Sequence, residues 1–296
     1  MKIEKIYYDA EDGVELFGLL HTPDENKGEE IVISTHGMGS NCFKKRDDII
    51  AKKLTSNGIA YFTYNNRGYG LVNSANKRGE KFLQGTVFED VQESYYDIVA
   101  TIKIIIAKGY KNIHLQGHSL GATKTVYTYN KLIENDDELL KNIKSIILLS
   151  LVDVSEVMHF LVSSNKTINV PEIALQKEQI GDSDYIIDTQ TPFLPLVSSK
   201  TFLKYYRDNS QIDFAKYTTD NYDFKILNSI KVPIFMRWGN VNELISIPAD
   251  KLVKLINERL QSNKKNIGYI EGATHNYTGK EDILAEEIMN FFKIKF

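Results

Sequence analysis

Apolar and polar residues alternate at the start of the chain. Residues 3–8 and 14–21 read as two strands, with Asp12-Gly13 as the hairpin turn between them. Ile31-Val32-Ile33-Ser34-Thr35 is a short β-branched run suited to burial on both faces, and it stops at His36-Gly37-Met38-Gly39. A mixed helical stretch reaches about Asn57, Gly58 punctuates it, and a strand follows from Ile59 to Tyr64. Beyond a polar loop, Val91, Tyr95, Ile98, Val99 and Ile102 give Phe88 to Lys108 the spacing of an amphipathic helix. A strand at Ile113 to Gln116, a helix from Ser119 to about Ile133 and a strand at Ile146 to Leu149 come next.

Strand–helix alternation of this kind predicts a parallel sheet covered by helices on both faces. The rhythm breaks between about Leu151 and Lys231, a stretch rich in polar and aromatic residues with fragmentary periodicity. It resumes with a strand at Val232 to Trp238, a helix near Pro248 to Leu260, a strand at Asn266 to Ile270 and a closing helix from about Lys280. The expected organisation is one α/β core, residues 1–150 and 231–296, carrying a cap insertion at 151–230. No internal repeat or low-complexity tract interrupts it.

A chain of 296 residues accommodates one such domain with its insertion. A net charge of −3 argues against a nucleic-acid partner or an anionic membrane surface. No apolar run approaches the roughly 20 residues that span a bilayer. The first residues alternate like a strand and lack the apolar core of a secretory signal. The single cysteine, Cys42, leaves no internal disulfide. Together these lead to the expectation of a cytoplasmic protein. Cys42 itself reads as a small, partly buried residue.

Chemistry enters at Gly117-His118-Ser119-Leu120-Gly121. A serine hydroxyl attacks poorly unless a base takes its proton. A Gly-x-Ser-x-Gly turn between strand and helix exposes that hydroxyl, and its glycines remove side chains that would clash. Of six histidines, His275 in Gly272-Ala273-Thr274-His275-Asn276 lies between the last predicted strand and the last helix, where it can return to Ser119 as the base. His118 reads as an elbow residue only. The oxyanion that develops at the attacked carbonyl needs donors, and these are expected from the backbone N–H groups of Leu120 and Met38. His36 is expected to brace the Met38 loop, and Arg67 to serve a structural ion pair more readily than a ligand carboxylate.

His36-Gly37-Met38-Gly39, Asn66-Arg67-Gly68-Tyr69-Gly70, Gly117-His118-Ser119-Leu120-Gly121 and Ala273-Thr274-His275 occur in the order expected of the α/β-hydrolase superfamily, which the chain resembles over essentially its whole length. Within it the chain is similar to small-acyl serine esterases of the feruloyl-esterase and siderophore-esterase kind. The resemblance implies a mostly parallel eight-stranded sheet flanked by helices, a cap over the active site, and no metal or organic cofactor. It also exposes a departure. The triad acid usually occupies a Gly-x-x-Asp after the seventh strand, and here that stretch is Gly239-Asn240-Val241-Asn242-Glu243. Three readings stay open: Glu243 as the acid through a one-residue shift, Asp153 after the sixth strand, or Asn242 in place, with a weakened or inactive site. An uncharged partner for the imidazole can cost about ten-thousandfold in rate.

The insertion carries many aromatic residues, among them His159, Phe160, Tyr185, Phe193, Phe202, Tyr205, Tyr206, Phe214, Tyr217, Tyr222 and Phe224. Singly they are expected to hold the cap on the core, and as a group they favour an apolar or aromatic substrate. The expected activity is cleavage of a small-molecule carboxylic ester through an acyl-enzyme. A thioesterase, amidase or acyltransferase would use the same residues. The rival reading is a non-catalytic ligand-binding homologue, for which Asn242 is the argument. Oligomeric state is not legible in the sequence.

Overall fold

The computed structural model describes residues 1–25, 28–164, 167–207 and 211–294. Strands β1 (Lys2–Asp9) and β2 (Glu15–Thr22) form the expected antiparallel hairpin, with Gly13 at φ 91° in its turn. Then follow β3 (Glu30–Thr35), helix α1 (Lys45–Thr55) and β4 (Ala60–Asn65). The region expected as a polar loop instead forms a small hairpin, β5 (Asn73–Lys77) and β6 (Glu80–Gln84). Its residues are mostly exposed or half-buried, so no apolar alternation marks it.

Helix α2 (Ser94–Ala107) begins later than the periodicity suggests, because the Asp90 side chain accepts from the Gln92 N–H and caps a preceding 3₁₀ turn. The chain continues through β7 (Asn112–His118), α3 (Leu120–Glu134) and β8 (Ile143–Leu149). Between β8 and the return of alternation lie α4 (Val154–Ser164), α5 (Val170–Gln179), the short antiparallel strands β9 (Ile186–Asp188) and β10 (Leu196–Ser198), α6 (Ser199–Tyr206) and α7 (Lys225–Asn228). Strand β11 (Ile234–Gly239), α8 (Ala249–Arg259), β12 (Lys265–Ile270) and α9 (Glu281–Phe292) complete the fold.

Eight strands make one sheet in the order β1-β2-β4-β3-β7-β8-β11-β12, with β2 running against its neighbours and every later pairing parallel. Period-two alternation divides the inner strands between two cores. Ile31, Ile33, Phe62, Ile146, Leu148 and Met236 face one side with α2, α3 and α8, whereas Val32, Tyr61, Ile147, Leu149 and Phe235 face the other with α1 and α9.

The aromatic residues of the 151–230 segment mostly join the first of these cores. Phe202, Tyr205, Phe214, Tyr217 and Phe224 are all buried in it, and Tyr217 also donates to the Leu151 carbonyl at 2.8 Å. They anchor the segment to the sheet, leaving Phe160, Tyr185 and Phe193 among the exposed rings. Among the described residues no helix is long and apolar enough to cross a membrane.

Candidate active site

Parallel strands deliver their following loops to one edge of a sheet, and ligand sites in open α/β sheets lie at that edge. Here the loops after β3, β4, β7, β8, β11 and β12 carry the Met38 segment, Asn66, Ser119, Ser150, Glu243 and His275 respectively.

Ser119 joins β7 to α3 at φ 55° and ψ −127°, a conformation costly for a residue with a side chain. It is half-buried, and its N–H donates to the Leu149 carbonyl at 2.8 Å. The turn is possible because its neighbours lack side chains. A Cβ on Gly117 would overlap the Gly121 carbonyl, and one on Gly121 would overlap the Thr35 carbonyl. A Cβ on Gly37 would lie 2.7 Å from the His118 carbonyl oxygen, 3.0 Å from Ser119 Cβ and 3.3 Å from the Leu120 nitrogen. The Gly37-Met38 backbone therefore runs directly against the elbow. Neither the Met38 nor the Leu120 N–H donates to another described residue.

The loops after β11 and β12 are tied together: the Asn240 and Val241 N–H groups both donate to the Ala273 carbonyl at 3.0 Å, and Gly239 leaves no room for a Cβ against that carbonyl. This brings His275 Nδ1 onto Glu243 Oε1, to which it donates. The other carboxylate oxygen accepts from the Gly239 N–H and the Ser150 hydroxyl, each at 2.8 Å, and the Leu244 N–H reaches Oε1 at 3.1 Å. Burial alone would raise the Glu243 carboxyl, but these donors and the His275 ring outweigh it and hold it below the usual range. The carboxylate is thus charged, buried and fully hydrogen-bonded.

Asn242 and Asp153 sit elsewhere. Asn242 is exposed, at φ 50°. Asp153 is turned to α4, where its carboxylate accepts from the Glu156 N–H at 3.1 Å. Burial pushes its carboxyl up to about 6, with help from Glu156 and Asp213.

Ser119 Oγ makes no hydrogen bond with a described residue, His275 included. A cavity of about 750 Å³ between the β5–β6 hairpin and α6 is lined by Phe82, Leu83, Phe88, Ile186 and Lys204, among others, but by neither Ser119 nor His275.

Three contributors escape a reading by motif. His118 Nε2 donates to the His275 carbonyl at 2.7 Å, and burial lowers its pKa so that the ring stays neutral. Ser150, at φ 49°, hydrogen-bonds Glu243 and lies 3.0 Å from the Tyr277 hydroxyl, which donates to the Arg237 carbonyl. Lys124, one turn into α3, is buried against Glu89. The position of His118 beside Ser119 was a signal for the first; Ser150 and Lys124 carried none. Arg67 is a structural residue, bonded to Asp97 at 2.7 and 3.0 Å and to Asp12 at 2.8 Å. Cys42 is buried, with its thiol pushed up to about 12 by that burial.

A family model described as serine aminopeptidase, S33, matches residues 26–174, which is half of the chain. No curated protein matches the sequence. Solved structures similar to it include Est1E from Butyrivibrio proteoclasticus, at 18% identity and a TM-score of 0.60 with 97% of each chain covered. Est1E has also been solved with ferulic acid bound, at 19% identity and a TM-score of 0.61 over the same share of both chains. The α/β hydrolase GrgF from Penicillium sp. sh18 is similar at 14% identity and a TM-score of 0.68, covering 99% of this chain and 98% of its own. At these identities the likeness establishes the α/β-hydrolase fold.

Proposed function

The chain belongs to the serine aminopeptidase S33 family of α/β hydrolases, and from that premise we propose that it cleaves a small-molecule carboxylic ester through an acyl-enzyme on Ser119. The observation that carries this reading is the charged, buried Glu243 carboxylate on His275 Nδ1. It fixes the tautomer that leaves Nε2 free to accept a proton, and it stabilises the imidazolium that results.

In the proposed cycle Ser119 Oγ attacks the ester carbonyl while His275 Nε2 takes the hydroxyl proton. The Met38 and Leu120 N–H groups, which have no partner of their own among the described residues, receive the negative charge that develops on the carbonyl oxygen. His275 then returns the proton to the leaving alcohol, and a water molecule activated by the same ring releases the acid. With a carboxylate already on His275, Asn242 no longer argues for a non-catalytic binder. The buried cap rings give little support to an aromatic substrate; the half-buried Met38 side chain, on the residue whose N–H is the proposed oxyanion donor, supports an apolar acyl group.

The test is covalent labelling by a fluorophosphonate probe, followed by turnover of short-chain, long-chain and aryl esters beside thioesters and aminoacyl arylamides. Labelling of the wild type that disappears in Ser119→Ala, with esters turned over fastest, is the expected outcome. An unlabelled wild type at high probe concentration overturns the serine-hydrolase reading, and preference for the arylamide moves the assignment to amide bonds.

A further inference from the structure

Lys124 lies in the middle of the core. It is 1% exposed, on the helix that begins at the elbow, and no step of the proposed cycle uses it. Its ammonium pairs with Glu89, also 1% exposed, and donates to Asn66 Oδ1 at 3.1 Å. Glu89 depends on it: apart from that contact, neither carboxylate oxygen has a hydrogen-bond partner among the described residues. Gly68 stands directly over the pair, and a Cβ there would overlap Glu89 Oε1.

From Asn66 the contacts lead to the loop at the elbow. Asn66 Oδ1 also accepts from the Gly68 N–H at 3.1 Å, its side-chain amide donates to the His36 carbonyl at 3.2 Å, and its own N–H donates to His36 Nε2 at 3.2 Å. His36 Nδ1 in turn donates to the Gly37 carbonyl at 2.9 Å. That pattern needs a neutral ring with its proton on Nδ1. Burial, with the Lys124 charge adding to it, lowers the His36 pKa to about 3 and keeps the ring neutral. The segment that carries Glu89 also holds the loop directly, where Thr86 Oγ1 accepts from the Gly39 N–H at 2.6 Å.

A buried ion pair is a poor way to add stability, since apolar residues of similar size are often as good or better. Here the pair reaches, through Asn66, the backbone at His36. We propose that Lys124 is a positioning residue whose ammonium, shared between Glu89 and Asn66, fixes the Asn66–His36 contacts that hold the Gly37–Gly39 backbone against the elbow. The proposal rests on the reading of Met38 as an oxyanion donor, and it makes the accuracy of that donor depend on a charge in α3 that never meets the substrate.

The experiment is the double variant Lys124→Met/Glu89→Leu, which removes both charges together and leaves no stranded carboxylate. It is compared with wild type and with Lys131→Met, a change farther along the same helix. The expected result is a folded protein in which kcat for a good ester falls by about ten- to hundredfold, with KM within about twofold. Amide hydrogen exchange over residues 36–40 should accelerate by at least about tenfold, and Lys131→Met should change neither readout. A folded double variant with wild-type kcat and unchanged exchange at 36–40 overturns the proposal. Asn66→Ala, which leaves the ion pair intact and cuts the next link, should accelerate the same amides; unchanged exchange there overturns it also, whether or not the double variant folds. The exchange readout decides the role of Lys124 even where the wild type hydrolyses no ester, a result that would overturn the esterase reading alone.

Discussion

Glu243 stands one residue beyond the position at which this sequence presents an asparagine, and the backbone accounts for the shift. Asn242 adopts φ 50°, a left-handed conformation that asparagine tolerates better than most residues, and its side chain is exposed. The next residue then points inward, where three donors besides His275 await its carboxylate. Glu243→Gln keeps the shape and removes the charge, so ester turnover should fall by at least about a hundredfold in steady-state kinetics. Asp153→Asn should leave turnover within about twofold, because its carboxylate serves α4. Its effect belongs to stability. The Asp153 carboxyl titrates near 6 in the folded protein, above its ordinary value of 3.8, so the folded state holds a proton through that window which the unfolded chain has already released. Stability therefore falls as pH rises from about 4 to 6, and above that the buried charge costs about 2–3 kcal/mol. The asparagine variant should be more stable than wild type by up to that amount at pH 8 and indistinguishable near pH 4, as read by urea unfolding at the two pH values. A stabilisation that is the same at both would refute the ionisation argument.

At the scale of elements, the loop after β3 and the β7–α3 elbow act as one unit because glycine lets their backbones touch. Gly37→Ala puts a methyl group 3.0 Å from Ser119 Cβ and 2.7 Å from the His118 carbonyl. The backbone must yield there, so ester kcat should drop by about a hundredfold or more while the melting midpoint moves by only a few degrees. A variant with wild-type kcat would show that this contact does not set the site. The elements that form this unit were legible in the sequence because their strands advertise themselves: Ile31 to Thr35 is a β-branched run that stops at His36-Gly37, Ile113 and Leu115 alternate up to the elbow, and glycines mark the turns. The β5–β6 hairpin was not legible, since Asn73-Ser74-Ala75-Asn76-Lys77 shows no apolar alternation: Asn76 and Lys77 are held by Glu15 and Asp12, and the pair Ala75 and Phe82 packs on a small apolar cluster of Ala10, Val14 and Leu16. Lys124 was hidden for a related reason. Thr123, Lys124, Thr125 and Thr128 are all buried in α3, and a polar helical position tells nothing of its burial until the partners supplied by distant loops are known.

At the scale of the whole molecule, the relation between the 151–230 segment and the sheet decides whether one or two bodies unfold. The sequence places a cap there because the alternation stops, which describes topology and leaves the energetics open. The side chains give the energetic answer: Phe202, Phe214 and Phe224 have no exposed surface, and they belong to the same apolar cluster as Ile33, Leu148 and Met236 of the sheet. The α6 side chains Thr201 and Tyr205 both donate to the Glu89 carbonyl, and Lys204 pairs with Asp90, so the segment is also fastened by polar contacts to the stretch that carries the partner of Lys124. Deleting a fully buried phenylalanine ring costs about 3–5 kcal/mol, a large part of the stability of an ordinary domain. Phe224→Ala should therefore lower the melting temperature of the entire protein, with one calorimetric transition whose van't Hoff and calorimetric enthalpies still agree. A detachable lid would behave differently: the variant would show a second, earlier transition for the segment, with the sheet melting at the wild-type temperature. A single shifted transition means instead that the segment does not leave the sheet as a separate body, because its wholesale departure would open the core that holds the sheet.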